Sequence, residues 1–264
     1  MDFLQIITRI AVSLLVLVVV LVILAFTFKT RGNVVLLVGP SDAGKTAIFA
    51  KLVYDQALPS HTSLQANTSS VDQPPFNKPV VIVDIPGHPK MRDQFKDHMK
   101  EAIVVAFVVD TSTVSRNGAA VAEHLHIIMD SIVNLSPTQK TPSLVIVAHK
   151  TDLLKNMAGS ANASSDALAI NRVKTVLERE LEKRRDAQSG SLGVEGLGEE
   201  EKTELGGLEC AGTAKTFRFS DWEGTEVHFI ATSVKQSVKG VDDEKGGPQI
   251  GLGSLQELLV TMRR

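Results

Sequence analysis

Apolar runs with hardly a polar interruption recur along this chain, separated by stretches in which apolar positions return every three or four residues. Val34-Val35-Leu36-Leu37-Val38, Pro79 to Asp84, Ile103 to Asp110, Ser143 to Ala148 and Val227 to Ala231 have the character of strands covered on both faces of a parallel sheet. Helical spacing marks Ala47 to Tyr54, Ala119 to Leu135 and Asp166 to Arg185, the last through Leu168, Val173, Val176, Leu177 and Leu181. A closing helix is expected over Leu252 to Met262, on Leu255, Leu258 and Leu259. Strands and helices alternating in this order predict an α/β fold with a doubly wound, mostly parallel sheet.

Three stretches depart from the alternation. Leu58 to Asn77, rich in Ser, Thr, Pro and Asn, reads as a mobile connection. Ser189 to Gly212 is dominated by Gly and Glu, so an insertion of disordered composition is expected near 186–215. Ile10 to Phe28, by contrast, carries no charge and is long enough to cross a bilayer. Dominated by Leu, Val and Ile and ending in Ala25-Phe26-Thr27-Phe28-Lys29, it is longer than the apolar core of a secretory leader and reads as an uncleaved anchor. With Arg9 and Asp2 on one side and Lys29 and Arg31 on the other, positive charge favours the carboxyl-terminal flank as cytoplasmic. The expected organisation is an anchor and short linker over 1–32 and one domain over 33–264. A net charge of −2 gives no reason to expect nucleic acid as a direct partner, and the single cysteine, Cys210, excludes an internal disulfide framework.

The candidate chemistry falls at the carboxyl ends of the expected strands, where doubly wound sheets bind ligands. Gly39-Pro40-Ser41-Asp42-Ala43-Gly44-Lys45-Thr46 is a complete phosphate-binding loop between strand and helix. Backbone N–H groups of Gly39, Ser41, Asp42, Ala43 and Gly44 would face phosphate oxygens, Lys45 would add a charge and Thr46 a hydroxyl for magnesium. Asp84, closing its strand in Asp84-Ile85-Pro86-Gly87-His88, could hold that metal through water, while the Gly87 N–H approaches a terminal phosphate. In His149-Lys150-Thr151-Asp152, the Asp152 carboxylate could accept both N1–H and the 2-amino group of guanine, a pair adenine cannot make. Backbone N–H groups of Ser233, Val234 and Lys235 could donate to the 6-oxo group.

These motifs resemble those of the small GTPase superfamily and, within it, the signal recognition particle receptor beta subunits. The similarity rests on Gly39 to Thr46, Asp84 to His88, Lys150 and Asp152, Thr232 to Lys235, and the apolar run near the start. It extends to a helix like Val173 to Arg185 and to an expected aromatic strand at Phe217-Arg218-Phe219-Ser220. The resemblance implies a Ras/Arf-like topology binding GTP or GDP with Mg2+. It also implies a protein of the endoplasmic reticulum membrane that docks a receptor alpha subunit, and through it the signal recognition particle, ribosome and translocon. By the same resemblance, Thr62 would be the magnesium-contacting switch threonine, with Thr68 as the alternative, and His88 would orient the attacking water. His149 stands where the guanine motif normally has Asn, a departure expected to weaken nucleotide binding while Asp152 keeps guanine preference. Two modes remain open on this scaffold, a GTP-hydrolysing switch and a GTP-gated membrane anchor, and an Arf/Sar-like trafficking GTPase is the alternative identity.

Overall fold

The structure is a computed structural model and describes residues 32–58, 61–76, 78–136, 139–158, 165–191, 206–210, 216–234 and 251–262. The chain divides into two compact units, Met1–Gly32 and Asn33–Arg264. The expected anchor rests on Ile10 to Phe28, which lie outside the described residues; among the described residues no helix is long and apolar enough to cross a membrane.

The second unit is built on a 6-stranded sheet. Its strands are β1 (Val34–Val38), β2 (Asn67–Val71), β3 (Val80–Asp84), β4 (Ala102–Asp110), β5 (Ser143–His149) and β6 (Val227–Ala231), arranged β2-β3-β1-β4-β5-β6. Only β2 runs antiparallel, with Asn67 opposite Asp84 and Val71 opposite Val80; every other pairing is parallel. The helices are α1 (Lys45–Tyr54), α2 (Phe95–Met99), α3 (Val114–Val133), α4 (Thr151–Ala158), α5 (Ser165–Ser191) and α6 (Gly253–Met262).

The uninterrupted apolar runs are explained by burial on both sheet faces. Because strand side chains alternate, Leu36, Val105, Phe107 and Ile146 enter one core with residues of α3 and α5. Val35, Leu37, Val104, Val108 and Val145 enter the other, with α1 and α6. Each fully buried Leu, Ile or Phe contributes on the order of 1.5–3 kcal/mol relative to exposure. The order places the carboxyl ends of β1, β3, β4, β5 and β6 along one edge, where the candidate residues lie.

Several expectations are corrected. Leu58 to Asn77 is not connection alone, since Asn67–Val71 forms edge strand β2. Its Ser and Thr side chains are largely solvated, and backbone pairing with β3 takes the place of an apolar face. Leu168 is 61% exposed, while its neighbour Ala169 is buried with Val173, Val176, Leu177 and Leu181. One helical residue corresponds to about 100°, which moves Leu168 off the buried stripe. Phe217 to Ser220 does not make a strand; a 3-10 turn covers Phe219–Asp221, and Cys210 and Trp222 form an isolated bridge. Glu182 and Glu178 on α5 accept the backbone N–H groups of Phe217 and Phe219, so helix carboxylates replace ladder partners.

The supposed insertion is also partly ordered. Helix α5 runs on to Ser191, and Gly206–Cys210 lies against the core with Leu208 buried. Trp222 Nε1 donates to the Gly207 carbonyl at 2.7 Å, and a ring nitrogen of His126 lies 2.9 Å from the Gly206 carbonyl. The remainder, 192–205 and 211–215, lies outside the described residues.

Candidate functional site

A cavity of about 520 Å³ opens along the carboxyl edge of the sheet. Its walls combine the phosphate loop (Ser41, Asp42, Gly44, Lys45, Thr46), the segment before β2 (His61, Thr62, Ser63), the loop after β3 (Ile85, Pro86, Gly87), and His149, Lys150, Asp152, Leu153 and Val234. Residues far apart in sequence thus share one space.

At the phosphate-loop end, α1 begins from Gly44 at φ 97°, a left-handed conformation natural to glycine. Lys45 is buried, and its ammonium donates to the Pro40 carbonyl at 2.8 Å. Burial brings the Lys45 pKa down to about 8, against the opposing pull of Asp84 and Asp42. Gly87 packs so closely that a Cβ there would lie 2.4 Å from Ser41 N and 2.7 Å from Lys45 Nζ. Gly39 follows β1 and Ala43 is buried in the core beside α1; neither side of the loop at these two positions lines the cavity.

Next to it, the Thr46 hydroxyl donates to Asp84 Oδ2 at 2.7 Å and lies 3.2 Å from Ser63 Oγ. Asn67 Nδ2 donates to the same carboxylate oxygen at 3.3 Å. Asp84 is fully buried, and Oδ1, its other oxygen, has no partner. Burial pushes this carboxyl up, opposed by hydrogen bonds from Thr46, Asn67 and Ser63 and by the charge of Lys45. An orphaned carboxylate oxygen beside hydroxyls is a donor set suited to a hard cation such as Mg2+. Thr62 lines the cavity, whereas Thr68 lies on β2 opposite Val83, outside the lining.

The opposite end is held by a network that sequence reading left unassigned. Asp110, at the end of β4, lies 2.7 Å from Lys150 Nζ, which also donates to the Asp42 carbonyl at 2.6 Å. Burial alone would raise the Asp110 carboxyl, but hydrogen bonds from Lys150 and Ser112 hold it below the usual carboxylate range. Thr111 Oγ1 donates to the carbonyls of His149 and Lys150, at 2.9 and 3.3 Å. Lys150 itself sits at φ 61°, a conformation that costs a non-glycine residue about 1–2 kcal/mol and is maintained here by these bonds. The visible sequence signal for Asp110 is a carboxylate at a strand's carboxyl end.

His149 is 2% exposed, with Nδ1 2.8 Å from Thr232 Oγ1 and its Cδ2–Nε2 edge against Gly44. Asp152 falls in the first turn of α4, half-buried in the cavity wall. Val234 lines the same end and Ser233 is buried behind it, while Lys235 lies outside the described residues. His88 is exposed and not part of the lining; its Nδ1 accepts the Lys90 N–H at 3.3 Å.

Two buried histidines make the fold acid-sensitive. Burial, reinforced by Lys150 against Asp110, brings His149 down to about 4. Burial, with Arg92 and Lys45 outweighing Asp93, brings His124 down to about 3, and its Nε2 has no partner. Between pH 6.5 and these values the unfolded chain binds protons that the folded chain refuses, so stability falls as pH falls. From pH 7 to 5 the expected loss is about 2 kcal/mol per histidine. Asp84, raised by burial, acts in the opposite sense. Urea midpoints of the parent and of His124→Gln at both pH values check this; an equal acid loss in the two proteins would refute the assignment to His124.

Sheet order, phosphate loop and the residues gathered at the carboxyl edge define a member of the small GTPase fold class. A family model described as signal recognition particle receptor beta subunit matches residues 30–227, and the chain belongs to that family. The beta subunit of Rattus norvegicus is 33% identical over 162 residues, covering 58% of this chain and 58% of the rat protein. That of Dictyostelium discoideum is 29% identical over 219 residues, covering 81% of this chain and 69% of the relative. Among solved structures, the mammalian SRP receptor aligns over 87% of this chain and 99% of its own, at 24% identity and TM-score 0.62. The SRb-GTP/SRX complex of Chaetomium thermophilum aligns over 88% and 99%, at 19% identity and TM-score 0.56. These two likenesses establish the fold.

Proposed function

We propose that this chain is the GTP-binding subunit of a signal recognition particle receptor, held at the endoplasmic reticulum membrane by Ile10 to Phe28 with its GTPase domain in the cytosol. In this reading it docks an alpha subunit in its GTP-bound form, and so serves co-translational targeting through the particle, ribosome and translocon. The observation that carries the proposal is one cavity walled both by Lys45 and Thr46 and by Lys150 and Asp152, in a chain of this family. The fungal relative was solved with GTP and SRX, which supports nucleotide-dependent docking. ADP-ribosylation factor D of D. discoideum is 25% identical over 130 residues, less than the receptor subunits of rat and D. discoideum, so the trafficking-GTPase alternative has weaker support.

Lys45 and the backbone N–H groups of the phosphate loop bind the phosphates, and Asp152 selects the base. The Thr46 hydroxyl, Asp84 through water and a hydroxyl of the Thr62-Ser63 pair would hold Mg2+. When bound, the ion neutralises phosphate charge. Gly87 lies where its backbone meets the phosphate loop and Lys45. In this reading a ligand seated between them displaces the loop after β3, so that loop registers occupancy of the cavity. His88 stands off the cavity lining, which favours a nucleotide-gated docking role over rapid hydrolysis.

Competition against labelled GTP by GTP, xanthosine triphosphate and ATP tests the base assignment. Asp152→Asn is expected to lose at least about tenfold in GTP affinity while gaining affinity for the xanthine nucleotide, because its amide now donates where the carboxylate accepted. Equal competition by ATP and GTP in the parent would overturn the guanine reading.

A further inference from the structure

We infer that Asn67, the first residue of edge strand β2, is a positioning residue for the magnesium site. Its side-chain amide sets the direction of the hydrogen bonds that join Ser63, Thr46 and Asp84, and so keeps one Asp84 oxygen available to the ion. The inference rests on the guanine-nucleotide and Mg2+ reading above.

Asn67 and Asp84 stand directly opposite each other in the antiparallel β2–β3 pairing, so their side chains leave the sheet on the same face. The Asn67 amide donates to Asp84 Oδ2 at 3.3 Å and to Ser63 Oγ at 3.4 Å. An amide nitrogen carries two N–H groups and accepts nothing, so Asn67 Nδ2 is the donor in both bonds. The Thr46 hydroxyl commits its one proton to Asp84 Oδ2, and the 3.2 Å contact between Ser63 and Thr46 is therefore donated by Ser63. The four groups close into a ring in which each bond runs from Asn67 toward the carboxylate. Two donors converge on Oδ2, while Oδ1 is buried without a partner. With its proton committed, Thr46 offers only lone pairs to anything that enters beside it. Magnesium demands near-ideal ligand geometry, and hydrogen bonds to a ligating carboxylate are the usual means of holding it in place. A lysine or arginine on this strand would neutralise Asp84 and compete with the ion. A neutral amide orients the carboxylate and leaves its charge intact.

The test is equilibrium binding of labelled GTP to the full-length chain in detergent, titrated with Mg2+ and repeated in excess EDTA. Asn67→Ala is expected to raise the Mg2+ concentration at mid-response roughly ten- to a hundredfold, the range for lost support behind a metal ligand, while affinity in EDTA stays within about twofold of the parent. Asn67 is exposed, so its replacement leaves the core untouched. Asn67→Val also lacks the donor but suits an edge strand better, and it should show the same shift. Ser70→Ala, elsewhere on β2, should leave the midpoint unchanged. A merely structural role for Asn67 predicts equal loss of GTP affinity with and without Mg2+, or a normal midpoint in Asn67→Val, and either result would overturn the inference while leaving the magnesium reading intact. A parent whose GTP affinity ignores Mg2+ would overturn both.

Discussion

Gly44→Ala is expected to reduce GTP affinity at least about a hundredfold, equivalent to ~2.7 kcal/mol. Two effects combine. At φ 97° an alanine pays a left-handed penalty of about 1–2 kcal/mol that glycine avoids. Its methyl would lie 2.3 Å from His149 Cδ2 and 2.7 Å from Nε2, closer than non-bonded atoms approach. The ring cannot retreat freely, because it is buried and tied to Thr232. The strain must therefore move the first residues of α1, including Lys45 and Thr46, or move the base end of the cavity. Titration of labelled GTP measures the loss, with circular dichroism confirming that the variant is folded. Gly253→Ala is the control, since a Cβ there meets nothing within 4 Å. In a His149→Ala background the same change at Gly44 should cost much less, because contacting residues are not additive. If the double variant shows the full loss again, the His149 contact is not the cause.

Trp222→Ala is expected to lower unfolding free energy by about 3–5 kcal/mol, the range for deleting a buried aromatic ring. The indole is 6% exposed, shares a core with Phe217 and Phe219, and donates to the Gly207 carbonyl. Gly224 lies against its ring, where a Cβ would be only 2.2 Å from Cζ2, so the surroundings are shaped to the indole. Trp222→Phe keeps most of the apolar area but strips the Gly207 carbonyl of its partner, and should cost about 1–3 kcal/mol. Since Trp222 is the chain's one tryptophan, urea unfolding is better followed by circular dichroism than by fluorescence. Neither Trp222 nor Gly207 lines the cavity, so GTP affinity of the folded variants should match the parent. A Trp222→Ala protein as stable as the parent would show that Gly206–Cys210 does not depend on the indole.

What could be read from the sequence was whatever depends on local pattern. β1 and β6 match their apolar runs residue for residue; β1 is buried throughout, whereas edge strand β6 includes His228 and is fully buried only at Ile230 and Ala231. The phosphate loop, Asp84 and Asp152 announce themselves by spacing, and all three reach the cavity or the bonds behind it. The misses share a physical cause. β2 is held by backbone pairing that any solvated side chain permits, so its Asn, Thr and Ser residues carry no hydrophobic signal. Leu208 stands in a stretch rich in Gly and Glu, and the indole that fixes its neighbour comes from a separate segment. Asp110 and Lys150 are 40 positions apart, and only adjacent parallel strands bring them together. His149 was visible as a departure, but Thr232, which gives the imidazole its orientation, could be paired with it only through the fold.

The double attachment of Lys150 has a further consequence. By bonding Asp110 and the Asp42 carbonyl together, it joins the two walls of the cavity before a nucleotide arrives. Ordering those loops is then part of the folding reaction, and the incoming ligand is spared that loss of conformational entropy. Preorganisation of this kind offers a route by which the chain can retain useful affinity with an imidazole in place of the amide. The same tie closes one end of the cavity in the folded protein, while the loop around Gly87, packed against Ser41 and Lys45, bounds the other.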